Sequence, residues 1–178
     1  STSRRQRQMC IRDSYTTAGN LMYWDMTTGM PEAMAESRAE TLSFFQTEVH
    51  SLNVSPKIAE FIEFFESHMG EFDYIHKRMT EQLKKKYENQ KRYPEEFIKE
   101  FSLAASRGEV AWEKAKNASD FDVFKPALEK IVDLTKKSIE YKGYEDNKYD
   151  ALLDDYEAGL TVNKLDKVFG ELRDGIVE

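Results

Sequence analysis

The three histidines of this sequence, His50, His68 and His76, are the side chains best suited to bind a catalytic metal. A hydrolytic zinc site needs three protein ligands and one open position, and it often takes two histidines one helical turn apart with a glutamate between them. No two of these histidines lie four residues apart, and the motif HExxH is absent. The sequence therefore predicts no hydrolytic metal site within these 178 residues.

A di-metal site in a helical bundle is the other metal chemistry to consider. Such a site needs inward glutamates on two helices and Glu-x-x-His on two more, and the nearest approach here is a single Asp73-x-x-His76. One half-motif is weak support for a site. We therefore predict that His76 is a partly exposed helix residue rather than a ligand, and we predict the same for His50 and His68.

Helices are the elements that would position any functional side chain in this sequence. Between residues 32 and 52 the apolar residues recur at alternating steps of four and three, which places them on one face of a helix. Similar patterns predict an all-α chain of about six helices, and no segment shows the alternation of a strand. The predicted helices cover residues 32–52, 56–69 and about 72–92, start again at Pro94 and at Pro126, and resume after Thr161, whereas 143–157 is predicted to be an ordered connection with one turn of helix.

Charge and hydropathy exclude two classes of partner. The net charge of -7 argues against a nucleic-acid surface, which depends on clustered lysines and arginines. No stretch has the length and apolar character of a membrane span, and the start lacks the apolar core of a signal peptide. These features predict a cytoplasmic protein that binds neither nucleic acid nor membranes.

Residues 1–13 are set apart from the rest of the sequence. The run from Arg4 to Asp13 has no periodicity that relates it to the helices after it, and it is the translation of a DNA sequence that resembles the end of a transposase-type sequencing adapter. We therefore predict that 1–13 is an artefact and exclude it from the fold. The alternative is a natural basic arm that binds an acidic partner. Cys10, the single cysteine, falls in this segment and indicates nothing about redox compartment.

Particular strings of the sequence are more specific to a protein family than composition and periodicity are. The segment 21–43 combines Trp-Asp, Met-Pro and Arg-Ala-Glu in the string LMYWDMTTGMPEAMAESRAETLS, and the segment 143–173 reads GYEDNKYDALLDDYEAGLTVNKLDKVFGELR. With YENQKRYPEEFIKEF and AWEKAKNASDFDVFKPALEKIVDL between them, these strings resemble the carboxypeptidase Taq family of metallocarboxypeptidases. The resemblance runs in order from about Tyr15 to Val177.

The resemblance implies a function as well as a fold. Enzymes of this family are mainly helical, often homodimeric peptidases that remove single residues from peptide C-termini with zinc or cobalt. The family's HExxH motif, its later glutamate ligand and the basic residue that receives the substrate carboxylate have no counterpart here. The resemblance thus implies that residues 14–178 are the N-terminal part of such an enzyme, without the metal site, inactive alone, and forming a wall and cover of the substrate groove.

Five residues of the Trp-Asp to Arg-Ala-Glu block are the candidates that the resemblance places at the groove: Trp24, Asp25, Met30, Pro31 and Arg38. The structural interpretation, which we favour, is that Trp24 packs, that Asp25 caps a helix or pairs with Arg38, and that Pro31 sets a turn. A competing hypothesis for the whole chain is a stand-alone helical interaction module, which would bind a partner helix in an exposed apolar groove.

Overall fold

The computed structural model describes residues 2–177, with side chains from Cys10 onward, and within that part the prediction of an all-α chain is confirmed. These residues form eight α-helices and two short 3-10 turns, Glu32–Met34 and Met69–Glu71, and no strand. No helix among them is both long enough and apolar enough to cross a membrane. The helices are α1 (Thr2–Thr28), α2 (Ala35–Asn53), α3 (Pro56–Ser67), α4 (Tyr74–Lys91), α5 (Glu95–Ala118), α6 (Phe121–Lys142), α7 (Lys148–Tyr156) and α8 (Val162–Ile176).

The chain divides into two compact units within α6. The first unit ends at Val132, and the second begins at Asp133. In the first unit α1 and α5 both pack against α2, and α3 packs against α4. In the second unit α7 packs against α8.

The core of the first unit confirms the face predicted for α2. Ala39 and Leu42 are buried, as the steps of four and three require. Ser43 is also buried, and its hydroxyl donates a hydrogen bond of 3.2 Å to the backbone carbonyl of Lys99. A buried hydroxyl is costly without a partner, so this bond fixes the position of α5 along α2.

Glycine at position 108 of α5 makes room for a side chain of α6. A Cβ added at Gly108 would lie 2.5 Å from the Cδ1 atom of Ile131, whereas atoms in contact need well over 3 Å. Glycine at this position therefore leaves space for the Ile131 side chain, which any larger residue would displace.

Two helices fall outside the predicted set, which is why eight are present instead of about six. The first is α1, which includes the excluded residues up to 13, and the second is α7, which the sequence predicted as a single turn. The predicted start of α6 at Pro126 is also wrong, because the helix begins at Phe121. The Asp120 carboxylate accepts a 3.0 Å hydrogen bond from the amide of Asp122 and so caps the helix ahead of the proline.

Buried charge organises the second unit. Lys142 is buried at the end of α6, and its ammonium donates a 2.6 Å hydrogen bond to the carbonyl of Ala151 and forms an ion pair with Asp155. The Asp150 carboxylate accepts a 2.7 Å hydrogen bond from the amide of Val162 and so joins the start of α7 to the start of α8. Lys142 and Asp150 therefore hold backbone groups of this unit in place.

Candidate functional site

The candidate residues lie where α1 ends and α2 begins. The amides of Gly29 and Met30 both donate to the carbonyl of Asp25, at 3.1 and 3.0 Å, and these bonds close the last turn of α1. The hydroxyl of Thr28 donates to the carbonyl of Trp24 at 2.7 Å. These contacts provide hydrogen-bond partners for carbonyls that a helix end leaves without them. They therefore allow α1 to end here, although the helix contains no proline that would break it.

Pro31 sets the connection between the two helices. Its φ of -61° and ψ of 139° are extended, and its carbonyl accepts a 2.9 Å hydrogen bond from the amide of Met34. The 3-10 turn Glu32–Met34 then leads directly into α2. This geometry agrees with the structural interpretation of Pro31 as a turn residue.

An ion pair joins Asp25 on α1 to Arg38 on α2. The Nη2 atom of Arg38 lies 2.6 Å from Oδ2 of Asp25, and its Nη1 atom lies 2.6 Å from the sulfur of Met22. Arg38 is the more buried partner, and its Nε atom has no hydrogen-bond partner among the described residues. Asp25 therefore balances the charge of a guanidinium that water reaches only in part.

Trp24 and Met30 complete the candidate set but do not join the ion pair. Trp24 is 66% exposed, so it does not pack into the described part of the chain, contrary to one structural interpretation. Met30 is half-buried in the connection after α1. The structure therefore brings Asp25 and Arg38 together and leaves a large aromatic side chain exposed to solvent beside them.

Ion pairs with α5 flank the candidate residues. Arg107 pairs with Glu36, and its hydrogen bond holds the pKa of that carboxyl below its usual range. Lys114 lies 2.6 Å from Glu32 and likewise lowers the pKa of Glu32 through a hydrogen bond. All four side chains are well exposed, so these ion pairs add little to the stability of the fold. Their role is to orient the start of α2.

Sequence reasoning did not find several residues around this site. Met22 lies one turn before Asp25 on α1, so helical spacing could have indicated it. The hydroxyl of Tyr23 donates to the carboxylate of Glu109 at 3.3 Å, and the nearby carboxylate raises the pKa of Tyr23. No local pattern indicates that contact, because the two residues are 86 positions apart.

The histidines do not come together. The amide and Nδ1 of His76 lie 2.8 and 2.7 Å from the Oδ1 atom of Asp73, which caps α4. His76 is exposed, and His68 is half-buried at the end of α3. The exposure of both agrees with the prediction, although His68 caps the end of α3 instead of lying within a helix. Among residues 10–177 no three His, Cys, Asp or Glu side chains are grouped closely enough to hold a metal ion.

His50 is the exception, because it is buried rather than partly exposed. It is only 7% exposed at the end of α2, and its Nε2 atom lies 3.1 Å from the carbonyl of Tyr93. The prediction failed because α2 carries His50 into the contact with the segment before α5, which no local pattern reveals. Burial lowers the pKa of His50, although the Tyr93 carbonyl and the charge of Glu95 partly oppose this effect.

Acidification is therefore expected to destabilise the protein through His50. Its pKa is lower in the folded state than in the unfolded state, so below about pH 6.5 the unfolded chain binds the proton more readily. The contribution of His50 is present above that pH and is lost as the pH falls, with a slope of at most about 1.4 kcal/mol per pH unit. Urea unfolding at a series of pH values measures it. The free energy of unfolding should depend less on pH in His50→Gln than in the exposed control His76→Gln. An equal pH dependence in the two variants would contradict the assignment.

An apolar groove is the second feature of the first unit. It lies between α3 and α4 beside the end of α2, and its volume is about 690 Å³. Apolar side chains form most of the lining, with Arg12, His76 and Arg78 among the polar residues. The apolar part of the lining comprises Leu52, Ile58, Phe61, Phe65, Phe72, Ile75, Met79 and Leu83.

The helical array places this chain among the all-α proteins, and comparison with known proteins identifies its family. The sequence model of the carboxypeptidase Taq (M32) metallopeptidases matches residues 5–178. The chain therefore belongs to the carboxypeptidase Taq (M32) metallopeptidase family. The match begins inside the segment 1–13, and the origin of that segment stays a prediction.

Individual relatives agree with the family. Carboxypeptidase 1 of Bacillus subtilis is 39% identical over 163 residues, which are 92% of this chain and 32% of that protein. Thermostable carboxypeptidase 1 of Pyrococcus furiosus is 34% identical over 154 residues, which are 85% of this chain and 30% of that protein. The chain thus spans about a third of the length of these curated relatives.

Solved structures confirm the fold. A structure named "BsuCP Crystal Structure" matches with a TM-score of 0.90 and 37% identity, over 94% of this chain and 34% of that one. "Structure of Pyrococcus furiosus Carboxypeptidase Apo-Mg" matches with a TM-score of 0.70 and 32% identity, over 96% of this chain and 34% of that one. None of these relatives supports a stand-alone interaction module.

Proposed function

We propose that this chain is the N-terminal helical part of a metal-dependent carboxypeptidase that removes single residues from peptide C-termini. The observation that carries the proposal is the family match over residues 5–178, in a chain a third as long as its carboxypeptidase relatives. The reaction therefore belongs to the longer protein, and this chain contributes helices that shape its substrate groove.

The end of α1 and the start of α2 form the part of the groove wall that we assign to this chain. Trp24 supplies an exposed aromatic face that can pack against a peptide. The ion pair of Asp25 with Arg38 fixes the helix turn that carries Trp24, while Met30 and Pro31 set the path of the connection. In this proposal Asp25 and Arg38 are positioning residues, and Trp24 touches the substrate.

The metal of the complete enzyme, which we propose to be zinc or cobalt, has its ligands elsewhere in the polypeptide. The donors of this chain do not fit such a site, because no group of three candidate ligands occurs among residues 10–177 and the sequence lacks HExxH. Such a metal would supply polarisation of the scissile carbonyl and activation of water. The helices of this chain shape the groove in which the peptide lies.

The remaining properties of the complete enzyme are also part of the proposal. Peptides are its substrates, two copies pair as a homodimer, and it acts in the cytoplasm without binding nucleic acid or membranes. The net charge of -7 supports the exclusion of nucleic acid. Residues 1–13 are proposed to be absent from the natural protein, and the same codons upstream of Tyr15 in an unfragmented genome would contradict this.

A chimeric enzyme tests the proposal. The matched segment of Bacillus subtilis carboxypeptidase 1 is replaced by this chain, and release of C-terminal amino acids from peptides is measured with and without a chelator. We expect chelator-sensitive activity in the chimera. Trp24→Ala should then raise KM by roughly tenfold, because an aromatic contact to the peptide is lost without a change in the metal site.

The matched control in the chimera is Trp112→Ala on α5, which removes another exposed tryptophan and should leave KM unchanged. A folded chimera without any peptidase activity would contradict the proposed function. An active chimera in which Trp24→Ala lowers only the melting temperature would reject the role of Trp24 in substrate binding and leave a structural role.

A further inference from the structure

Helix α8 has an apolar face that the described part of the chain leaves open. The helix packs against α7, but none of its residues is buried. Four of its large apolar side chains are more than half exposed, namely Val168, Phe169, Leu172 and Ile176. Single exposed apolar residues are common on soluble proteins, whereas a contiguous apolar patch is typical of an interface.

The spacing of these residues makes α8 amphipathic. Together with Leu165 they recur at steps of three and four, so they lie on one side of the helix. Asn163 and Lys167 lie on the opposite side and are exposed. A helix of 15 residues is marginal in water by itself, and its stability comes mainly from the packing of its apolar face. An open face of this kind is therefore typical of a helix that lacks a packing partner.

The charge of α8 argues against a lipid surface as that partner. Amphipathic helices that lie on membranes carry an excess of lysine and arginine on the polar face. Helix α8 has as many acidic as basic residues: Asp166, Glu171 and Asp174 against Lys164, Lys167 and Arg173. It therefore offers no net positive charge to anionic lipids.

Length favours the rest of the same polypeptide as the partner. The chain spans about a third of the length of its curated relatives, so two thirds of the enzyme proposed above lie outside these residues. Helix α8 is the last helix of the chain, and in that enzyme it precedes the remaining polypeptide. A contact within one molecule then needs only a short loop, and tethering gives an effective concentration on the order of millimolar. A separate molecule competes poorly with such a contact.

We propose that the apolar face of α8 is the docking surface for the polypeptide that follows residue 178 in the complete enzyme. The covering segment presents apolar side chains to Val168, Phe169, Leu172 and Ile176, and the opposite side of α8 stays in water. The inference rests on the proposed function, because it requires a longer polypeptide. It adds the surface through which this helical part is joined to the part that holds the metal.

Cysteine labelling tests the contact in the chimera, in a Cys10→Ser background that removes the exposed thiol. Leu172→Cys puts a thiol on the apolar face, and Asn163→Cys puts one on the opposite side. A maleimide reacts with each thiol, and mass spectrometry of the labelled peptide gives the rate. Both thiols should react at similar rates in the isolated chain. In the chimera Leu172→Cys should react at least about tenfold more slowly, because a covered residue reacts only when the contact opens, while Asn163→Cys should be unchanged.

A charge on the same face gives a second measurement. Leu172→Glu should change the melting temperature of the isolated chain by less than about 1 °C, because the side chain is 53% exposed there. In the chimera it should lower the melting temperature by at least about 5 °C, because the covering segment would bury an unpaired carboxylate. The matched control Asn163→Glu adds the same charge on the opposite side and should have no such effect.

Three results would overturn the proposal. One is equal labelling of Leu172→Cys in the isolated chain and in the chimera. Another is labelling of the isolated chain that slows as its concentration rises, which would identify a second copy as the occupant. The third is protection in the chimera only after vesicles of phosphatidylserine and phosphatidylcholine are added, which would identify a membrane.

Peptidase activity of the chimera is measured separately. An inactive chimera in which Leu172→Cys is protected would contradict the proposed function and support the contact. An active chimera in which Leu172→Cys is not protected would contradict the contact alone.

Discussion

The 178-residue chain by itself is expected to release no measurable amino acid from the C-termini of peptides, with or without added zinc or cobalt. Hydrolysis of this kind needs a metal with three protein ligands and an open position. The chain has no HExxH, and its described side chains form no group of three ligands. The measurement is release of free amino acids from a peptide mixture by the purified chain, compared with the chimera as the positive control.

Zinc binding gives an independent check of the same prediction. Isothermal titration should show no stoichiometric site in the isolated chain, since a real site would couple metal binding to stability. His76→Gln serves as the matched variant, because the imidazole of His76 and the carboxylate of Asp73 are in direct contact and could together bind zinc weakly. Chelator-sensitive release of amino acids by the purified chain would show that the ligands are present after all.

Loss of the Asp25 carboxylate is expected to lower the free energy of unfolding by roughly 1–3 kcal/mol. Asp25→Ala leaves the less exposed guanidinium of Arg38 without its carboxylate, and water reaches it only in part. For a chain of this length each kcal/mol corresponds to a fall of about 2–4 °C in Tm. Urea unfolding and thermal melting of the isolated chain measure the change.

A double-mutant cycle separates the pair from its surroundings. Arg38→Met removes the charge and keeps an apolar stem beside Met22, so Asp25→Ala should cost much less in that background. The matched control is Glu36→Ala, which breaks the exposed pair with Arg107 and should change stability by less than about 1 kcal/mol. Equal losses from Asp25→Ala with and without Arg38 would show that the two side chains are not coupled.

Much of the fold was predictable because helical periodicity is a local property. The face of α2 that includes Ala39 and Leu42 follows from steps of four and three, and it is buried as expected. The apolar steps of three and four also predict a helix after Thr161, and α8 begins at Val162. In each case a residue's own helix determines the side on which it lies, so sequence spacing is sufficient.

The candidate site was predictable only in part. The resemblance selected Asp25 and Arg38 together, and their pairing was one of the interpretations left open. The exposure of Trp24 and the burial of His50 depend on which other segments reach them. Tyr93 contacts His50 although the two residues are 43 positions apart in the sequence. Helical periodicity gives no information about contacts over such a separation.

The sequence by itself determined the helical class, the family resemblance and the absence of the HExxH motif, because these depend on residue types and on local order along the chain. Only the tertiary structure decided that Arg38 and Asp25 form an ion pair, that His50 is buried, and that α3 and α4 leave an apolar groove open beside exposed side chains. The physical reason is that burial and pairing are set by contacts between segments distant in sequence, whose positions follow from the packing of whole helices.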